Sequence, residues 1–478
     1  MAFKWFEVDF NSLKNEPTAR FDFAFINFFN KSLKSDFYSF KDLFEVINFE
    51  KNQRTGLLDE IDEDFNYCEI GNATKQGDLE PQSLNFNNRT EDLEPYFTKI
   101  EKGDIQKAEE GNILVAKVRP NLKKYLYIDE EKSDYYYTTA FINLKPKKLG
   151  KILYYSLRTI FFENLMAISR QGKGYPTMNS EDLNCLKFDK NIIDILEEKQ
   201  TQIIVQITPI EQEIKSLKSQ IIAPQAIINE VFAEEFNFDL EKFEELKKEK
   251  FFEVDFSEFA NNIDIRQSPK FHRTAGKFVY SQLKNITSKK IKNFIAEPIV
   301  LGSSVSPSNY DENGEFYYIS MANIKNWKFE SEDSKLVSVE YAKTIKEKIV
   351  KKDDILIARS GEGTIGKIAL IDDEDLNGIF ADFTMRIRLK KYNPLFAYYY
   401  FRTSYFQYLV EINKKGLGNN TNIFPSQIQE FPLIDIDLER QELLSNKIAT
   451  RLSAQTKINQ KIEELRNKID EIIENSIK

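Results

Sequence analysis

The chain has 478 residues, of which 41% are hydrophobic and 13% aromatic, with only 17 glycines and 14 prolines. This composition excludes disordered chains, collagen-like repeats and low-complexity scaffolds, and it predicts a folded globular protein. The formal net charge of −9 argues against a protein that covers polyanions with its whole surface, but it leaves room for a local basic face.

The chain contains two cysteines and one histidine: Cys68, Cys185 and His272. These are too few for a disulfide framework, a zinc site or a histidine-rich metal site, so we predict no metal and no cofactor. No stretch approaches 18 uninterrupted apolar residues, and the N-terminus lacks the pattern of a signal peptide. We therefore expect a soluble protein of the reducing cytoplasm with no membrane partner.

Short β-rich runs alternate with helical segments along the chain. The β-rich runs are bounded by Gly, Asn and Asp turn signals, and the helical segments carry apolar residues three or four positions apart. We predict strands at Asn112–Val118, Lys124–Ile128, Phe316–Ser320, Ile355–Ala358, Gly366–Ile371 and Thr384–Leu389, and long helices in 191–236 and 436–478. The predicted fold class is α+β, with two mixed α/β domains separated by two long helices.

The helical segments have the apolar spacing of a coiled-coil seam. The seam residues are Ile203, Ile207, Ile210, Ile214, Leu217 and Ile221 in the first segment, and Ile458, Ile462, Leu465, Ile469 and Ile472 in the second. Thr208 and Pro209 form a capping pattern, so we expect the first helix to restart or kink there, and Pro224 to kink it again. The favoured arrangement is an antiparallel strut between two heads, and the alternative is that each helix caps its own domain.

Four blocks of sequence occur twice in the same order, which indicates an internal duplication. The paired blocks are 4–10 with 250–256, 112–117 with 354–359, 153–174 with 397–418, and 210–221 with 458–469. By contrast, residues 50–110 do not resemble residues 295–350. The two copies therefore share a scaffold and differ in what it carries.

Two enzyme motifs are incomplete in this chain. The segment 361–367 begins like a phosphate-binding loop, but the next residue, Ile368, offers no hydroxyl for Mg²⁺ and leads into a predicted strand. The segment NPLF (393–396) lacks the second proline of the tetrad with which adenine methyltransferases hold a flipped base. We therefore predict no catalytic residues.

Basic, amide and aromatic residues lie next to turns in both β-rich regions. Such side chains suit DNA, because Lys and Arg bind phosphates, while Arg, Lys, Asn and Gln read base edges in the major groove. The plain alternative is a solvated surface with lysine-rich turns. The candidate DNA-binding residues are Lys117, Arg119, Lys123 and Lys173 in the first copy, and Arg359, Ser360, Lys367, Lys415 and Asn419 in the second.

Over nearly its whole length the chain resembles the specificity (S) subunits of type I restriction–modification enzymes. The resemblance is carried by DDILIARSGEGTIGKIALI (353–371), by GLGNNTNIFPSQIQEFPLIDIDLERQELLSNKI (416–448), and by the tandem duplication. It implies a first target recognition domain (1–190), a central coiled-coil helix (191–236), a second target recognition domain (237–435) and a C-terminal coiled-coil helix (436–478). The two helices would pair antiparallel about a pseudo-twofold axis.

The resemblance also implies a division of labour. Each recognition domain would read one half of a bipartite double-stranded DNA target, while two modification (methyltransferase) subunits and the restriction (translocase) subunits carry out the chemistry. Inserting one heptad, about 10 Å of helix, should then lengthen the unread spacer by about 3 base pairs, which methylome sequencing would reveal. The alternatives are the recognition subunit of a related bipartite nuclease and a two-headed scaffold that binds proteins.

Overall fold

The computed structural model divides the chain into two compact units. Unit 1 contains residues 1–219 and 460–478, and unit 2 contains residues 220–459. The structure describes residues 25–26, 36–61, 63–90, 93–171, 174–249, 251–260, 268–361, 363–416 and 421–478. Each unit combines one β-rich region with one part of the C-terminal helical segment.

Unit 1 contains two four-stranded sheets. Its strands are β1 (Phe37–Ser39), β2 (Phe44–Ile47), β3 (Asp64–Cys68), β4 (Gln82–Asn85), β5 (Gln106–Lys107), β6 (Ile113–Ala116), β7 (Tyr125–Tyr127), β8 (Tyr136–Tyr137), β9 (Phe141–Pro146), β10 (Arg170–Gln171), β11 (Pro176–Thr177) and β12 (Lys187–Asp189). The first sheet has the order β2-β9-β6-β7 and the second has the order β4-β3-β8-β5, with a parallel β3–β8 pair. All four residues of β6 are buried, which explains its uninterrupted apolar run.

Unit 2 contains a four-stranded and a three-stranded sheet. Its strands are β13 (Val300–Leu301), β14 (Phe316–Ile319), β15 (Ile324–Lys325), β16 (Lys328–Phe329), β17 (Lys335–Val337), β18 (Ile355–Ala358), β19 (Ile368–Leu370), β20 (Gly378–Phe380) and β21 (Thr384–Ile387). The sheet orders are β13-β21-β18-β19 and β17-β14-β20, and the β14–β20 pair is parallel. The strands predicted from the sequence are confirmed, with ends that differ by up to two residues.

The two units share one strand topology. The order β2-β9-β6-β7 corresponds to β13-β21-β18-β19, and the parallel pair β3–β8 corresponds to β14–β20. Where β5 pairs antiparallel with β8, unit 2 has an isolated antiparallel bridge between Ile349 and Ile379. The correspondence therefore extends through the regions that do not resemble each other in sequence.

Helices make up the rest of the described architecture. In unit 1 they are α1 (Phe40–Leu43), α2 (Lys51–Gly56), α3 (Glu94–Glu101), α4 (Glu130–Ser133), α5 (Lys151–Arg158), α6 (Phe162–Ile168), α7 (Lys190–Glu198) and α8 (Gln200–Lys218). Those that begin in unit 2 are α9 (Pro224–Phe236), α10 (Leu240–Lys248), α11 (Phe256–Ala260), α12 (Thr274–Ile286), α13 (Val339–Thr344), α14 (Pro394–Arg402), α15 (Ser404–Asn413), α16 (Pro425–Ile428) and α17 (Leu438–Ser476). Among the described residues, no helix is long and apolar enough to cross a membrane.

The incomplete tetrad NPLF is a helix start. Helix α14 begins at Pro394, and the Asn393 side chain caps it by accepting a hydrogen bond from the Phe396 N–H at 3.1 Å. Asparagine is favoured at the cap because its side-chain oxygen accepts such a bond. Proline is favoured at the first helical position because no N–H is needed there. The motif therefore has a structural explanation that needs no flipped base.

The predicted seam is buried for most of its length. Ile203 and Ile207 of α8 are 2% and 1% exposed, and Ile462 and Ile469 of α17 are each 3% exposed. Near the end of α17, Ile473 is fully buried while Ile472, the predicted seam residue, is only partly buried.

Polar contacts join the helical segments in both units, and in unit 2 they run antiparallel. In unit 1, Lys199 Nζ donates to Ser476 O at 2.7 Å, close to the C-terminus of α17. In unit 2, Glu235 pairs with Arg440 near the start of α17, and Glu230 pairs with Arg451 further along it. Residue numbers thus rise on one segment as they fall on the other.

The central segment is three helices and not one. Helix α8 continues through Pro209, and Thr208 Oγ1 donates to Ile204 O at 2.8 Å from within the helix. Of the restart or kink predicted at Pro209, the restart is therefore wrong. The break lies between Lys218 and Pro224, the first residue of α9. Proline lacks the N–H that a helix interior needs, but it fits the first turn. Ile221, a predicted seam residue, lies in this break and is 40% exposed.

Candidate nucleic-acid interface

The turn that follows strand β18 in unit 2 is held by backbone hydrogen bonds to two other chain segments. The Arg359 N–H donates to Phe383 O at 2.9 Å, and Arg359 O accepts from the Ile423 N–H at 2.9 Å. Arg359 therefore lies between the β20–β21 turn and the segment that leads into α16. Because all of these bonds use the backbone, they fix the path of the turn whatever side chain occupies it.

The Arg359 side chain is oriented by three contacts. Its Nε donates to Asp382 O at 3.1 Å, and its guanidinium carbon lies 5.9 Å from the ring centre of Phe383 and 5.7 Å from that of Phe424. Both ring distances are within the range of cation–π attraction, about 6 Å. The two Nη groups make no hydrogen bond or ion pair with the residues that the structure describes. They are therefore available to an external acceptor.

The two phenylalanines beside Arg359 are exposed. Phe383 is 44% exposed in the turn between β20 and β21, and Phe424 is 39% exposed in an extended conformation immediately before Pro425. Neither residue was among those predicted from the sequence. Their signal is local: each is a large aromatic residue outside the predicted strands and helices, where burial is unusual.

Ser360 and Lys415 both pair with the backbone of Asn422. Asn422 forms isolated bridges to both residues, and the Lys415 N–H donates to Asn422 O at 2.7 Å. Ser360 is 8% exposed, and its hydroxyl donates to Thr421 O at 3.4 Å, whereas Lys415 is exposed. The structure thus places Ser360 beneath the surface and Lys415 upon it.

Lys367 ends the glycine-containing turn that begins at Gly361. Gly366 before it has a φ of +84°, and a Cβ there would lie 2.9 Å from Gln407 Oε1, so glycine is required at this position. The turn leads into strand β19, which confirms that 361–367 does not precede a helix N-terminus. The Lys367 ammonium has no hydrogen bond or ion pair within the described part of the chain.

Lys117 occupies the same position in unit 1 as Arg359 in unit 2. Its N–H donates to Ala140 O at 2.9 Å, its carbonyl accepts from the Met178 N–H at 2.8 Å, and its Nζ donates to Thr139 O at 2.5 Å. Burial lowers the pKa of Lys117, although the Asp104 carboxylate acts in the opposite direction. The ammonium thus points inward, toward a polar cavity of about 80 Å³ that Arg54 also lines.

Arg119 is the exposed basic residue of this region in unit 1. Its guanidinium carbon lies 5.1 Å from the ring centre of Tyr175, which is 44% exposed. Lys123 is instead anchored, because its Nζ donates to Arg158 O at 2.8 Å and lies 4.2 Å from the Phe162 ring centre. Lys173 and Asn419 lie outside the described residues.

A family comparison identifies the β-rich region of unit 2. Residues 298–471 match the model of the Type I restriction modification DNA specificity domain. This chain carries a DNA specificity domain. The resemblance seen in the sequence is confirmed for these residues, and the match supports the predicted function of DNA recognition within a type I restriction–modification system.

Similarity to solved structures extends over most of the chain, at low sequence identity. Three solved chains are similar to this one: one described under complex assembly and conformational transition of the type I R-M system (13% identity, 93% of this chain and 97% of that chain covered, TM-score 0.42), the HsdS subunit from Thermoanaerobacter tengcongensis (12%, 92% and 96%, 0.32), and the type I restriction-modification system S subunit from M. genitalium (14%, 92% and 95%, 0.40). No curated protein matches the chain.

Not every basic residue of the specificity domain faces outward. Arg386 is 4% exposed, and its guanidinium bonds to Ile349 O and to the Glu297 carboxylate. Arg388 donates from Nε and Nη2 to the fully buried carboxylate of Asp354, both at 2.7 Å. These arginines stabilise the sheet of the specificity domain. Charge alone could not have separated them from Arg359.

The side chains that could bind a metal ion, including the single histidine, form no metal site among the described residues. The described residues contain no group of three or more His, Cys, Asp or Glu side chains that could hold a metal ion. His272 is 4% exposed, and its ring packs edge-on against Phe271 at 5.1 Å. His272 therefore lies in a packed setting within unit 2.

Proposed function

We propose that the chain is the sequence-specific DNA-recognition subunit of a type I restriction–modification system, and that each unit reads one half of a bipartite target. The observation that carries this proposal is the Arg359 guanidinium, which is oriented by Asp382 O and two rings while both Nη groups stay available. Bidentate donation from arginine to guanine O6 and N7 is the commonest specific contact in the major groove.

The proposal assigns the candidate residues to three roles. Arg359 in unit 2 and Arg119 in unit 1 read bases, because each guanidinium lies against exposed aromatic side chains: two phenylalanines for Arg359 and one tyrosine for Arg119. The other candidate lysines and the candidate amide, which are Lys173, Lys367, Lys415 and Asn419, contact phosphates or neighbouring base edges. Lys117, Lys123 and Ser360 shape the turns, because their side chains bond to backbone carbonyls of the same unit.

In this proposal the chain selects the site and other subunits act on it. Two methyltransferase subunits and the restriction (translocase) subunits assemble with the chain on DNA in the cytoplasm. Support comes from the specificity domain itself and from the two enzyme-like motifs, which are a turn before strand β19 and the start of helix α14. The chain would therefore be non-catalytic.

Replacing Arg359 with alanine tests the proposal. We expect Arg359→Ala to relax one position of one half-site, at a cost of about 1–3 kcal/mol in discrimination, and to leave the other half-site unchanged. Methylome sequencing of cells that express the assembled methyltransferase measures both half-sites at once. Equal weakening on all sequences would show that Arg359 contacts phosphate. Lys343→Ala, which removes an exposed lysine on α13, is the matched control and should change neither half-site.

A second experiment separates the proposal from its alternatives. Gel-shift titration of the chain, with and without the co-expressed methyltransferase, should show retention that depends on the DNA sequence. A protein-binding scaffold would show none under either condition. A bipartite nuclease would cleave the bound duplex without a translocase, and genes for an adenine methyltransferase and a translocase would be missing from the genomic neighbourhood.

A further inference from the structure

The surface around Arg359 combines one polar group with two apolar ones. Phe383 and Phe424 expose 44% and 39% of their surfaces, and both rings lie within 6 Å of the guanidinium carbon. A base that binds the Nη groups must therefore come close to both rings. The rings also limit the access of water to the guanidinium, which strengthens its hydrogen bonds.

The rings restrict what the neighbouring base pair can be. In the major groove, adenine, guanine and cytosine present hydrogen-bonding groups, and only thymine presents an apolar one, its C5-methyl. A phenylalanine ring over a polar base edge leaves that edge without water or a partner, which is unfavourable. Over a methyl group the same ring gains apolar burial.

We infer that Arg359, Phe383 and Phe424 together read a guanine that adjoins a thymine in the half-site of unit 2. Arg359 donates to guanine O6 and N7, and the two rings contact the thymine methyl group. This inference rests on the proposed function and adds to it the identity of a two-base step. The rings thereby determine specificity at a position where no hydrogen bond is made.

The test removes the methyl group from the DNA and the ring from the protein. Once methylome sequencing has given the target, each thymine of the unit 2 half-site is replaced in turn by deoxyuridine, and the affinity of the assembled complex is measured by fluorescence anisotropy. We expect a loss of about fourfold at the one thymine beside the guanine, the factor that corresponds to burial of one methyl group. Deoxyuridine at other thymines should have no comparable effect.

Phe424→Ala and Phe383→Ala then complete the cycle. Each variant should bind thymine and deoxyuridine duplexes with more similar affinities. Guanine should still be preferred, but less strongly, because Arg359 keeps Asp382 O and one ring and loses the other. Phe251→Ala is the matched control, because Phe251 is 91% exposed and belongs to the same unit. It should preserve the full difference between the two duplexes. Thermal unfolding of each variant verifies that the fold is retained.

Three results would overturn the inference. One is a half-site in which no guanine adjoins a thymine. Another is an unchanged affinity for every deoxyuridine duplex while Arg359→Ala still relaxes the guanine, which would leave the proposed function intact. The third is an equal loss by Phe424→Ala on both duplexes, which would indicate rings that insert between base steps. If Arg359→Ala changes no base preference, the proposed function of Arg359 fails as well.

Discussion

Units 1 and 2 hold equivalent turns by equivalent backbone hydrogen bonds, yet they present different groups at the surface. In unit 2 the turn exposes Arg359 between Phe383 and Phe424. In unit 1 the same place holds Lys117, whose ammonium bonds inward to Thr139 O. A scaffold that is fixed by backbone bonds can therefore carry two different readers.

The difference extends to the residues around the turn. The position of Phe383 is taken in unit 1 by Ala140, and that of Phe424, which follows Ile423, by Asn179, which follows Met178. Unit 1 thus lacks both rings at this place. It instead presents Arg119, two residues after Lys117, with its guanidinium against the ring of Tyr175. Each unit would therefore carry its own arginine reader, with two rings beside it in unit 2 and one ring in unit 1.

Removing the buried charge of unit 2 should have the largest effect. Asp354 is fully buried and accepts two hydrogen bonds from Arg388, whereas the equivalent Asn112 in unit 1 donates to Asn143 Oδ1 at 2.9 Å. We expect Asp354→Asn to lower the free energy of unfolding of unit 2 by about 3 kcal/mol, because it removes the buried carboxylate that binds two N–H groups of Arg388 and leaves this arginine with only the partly exposed Glu297 as a counter-ion. Urea denaturation followed by Trp327 fluorescence in a Trp5→Phe background measures this loss.

The chain supplies an internal control for that experiment. Both cysteines, Cys68 and Cys185, are buried in unit 1, and unit 2 contains none. Thiol labelling therefore reports the opening of unit 1 alone and should not change in Asp354→Asn. The exposed Asp372→Asn serves as the matched variant with no expected effect. Unchanged Trp327 unfolding in Asp354→Asn would show that the Arg388 pair contributes no net stability.

Exchanging the basic residues between the units should have a smaller effect. Arg359→Lys removes the planar fork that matches guanine, and we expect it to reduce discrimination of that base by about 1–2 kcal/mol. Lys117→Arg should alter no half-site, since the position faces the interior. Competition binding with duplexes that differ in one half-site measures both variants. A changed base preference in Lys117→Arg would contradict the inward orientation of that side chain.

The smallest expected effect is the loss of free energy of unfolding of unit 1 in acid. Burial acts to raise the pKa of Asp78, but the hydrogen bonds and charges of Lys218 and Arg466 outweigh it, so the pKa lies below the usual value of 3.8. Stability from this carboxylate is therefore present above that value and is lost as the pH falls through the lowered pKa. We expect Asp78→Asn to remove about 1 kcal/mol at neutral pH and to flatten the acid limb.

Unit 2 gives the comparison for this pH dependence. Its head contacts α9 through an amide, because Asn229 Nδ2 donates to Ser404 Oγ at 2.6 Å. This contact does not titrate in acid. Thiol labelling of unit 1 with a disulfide reagent that reacts at low pH should therefore show a smaller acid response in Asp78→Asn than in wild type, while Trp327 fluorescence should report the same acid response of unit 2 in both. The same acid response in wild type and Asp78→Asn would refute the role of this carboxylate.

Much of the scaffold could be predicted from the sequence. Strand β18 has the predicted bounds Ile355–Ala358, and α17 spans Leu438–Ser476 within the predicted 436–478. These predictions succeed because apolar spacing is a local property of the chain. The restart at Pro209 failed because a proline inside a helix can be tolerated when the flanking turns are packed, as Ile207 and Ile210 are here.

The candidate site was only partly predictable. Lys117 and Arg359 were both selected as basic residues beside a turn, and the structure shows that one points inward and the other outward. Phe383 and Phe424 escaped because an exposed ring and a buried ring look alike in a sequence. Other basic residues of unit 2 could be mistaken for DNA-binding residues in the sequence, although they form ion pairs within the unit. Arg388 pairs with Asp354, and Lys290 pairs with Glu430.

The amino-acid sequence was sufficient to predict the duplication, most of the seam residues and the places of the turns, because each depends on residues that are close in the chain or on a repeated pattern. Tertiary structure alone decided which turn residues reach the surface, and it revealed that residues 50–110 and 295–350 supply corresponding antiparallel strand pairs, β3–β4 and β14–β17, to sheets of similar order. Strand pairing uses backbone groups that every residue carries, so it can persist after side-chain similarity is lost. Exposure depends on distant segments such as the one that brings Phe424 to Arg359.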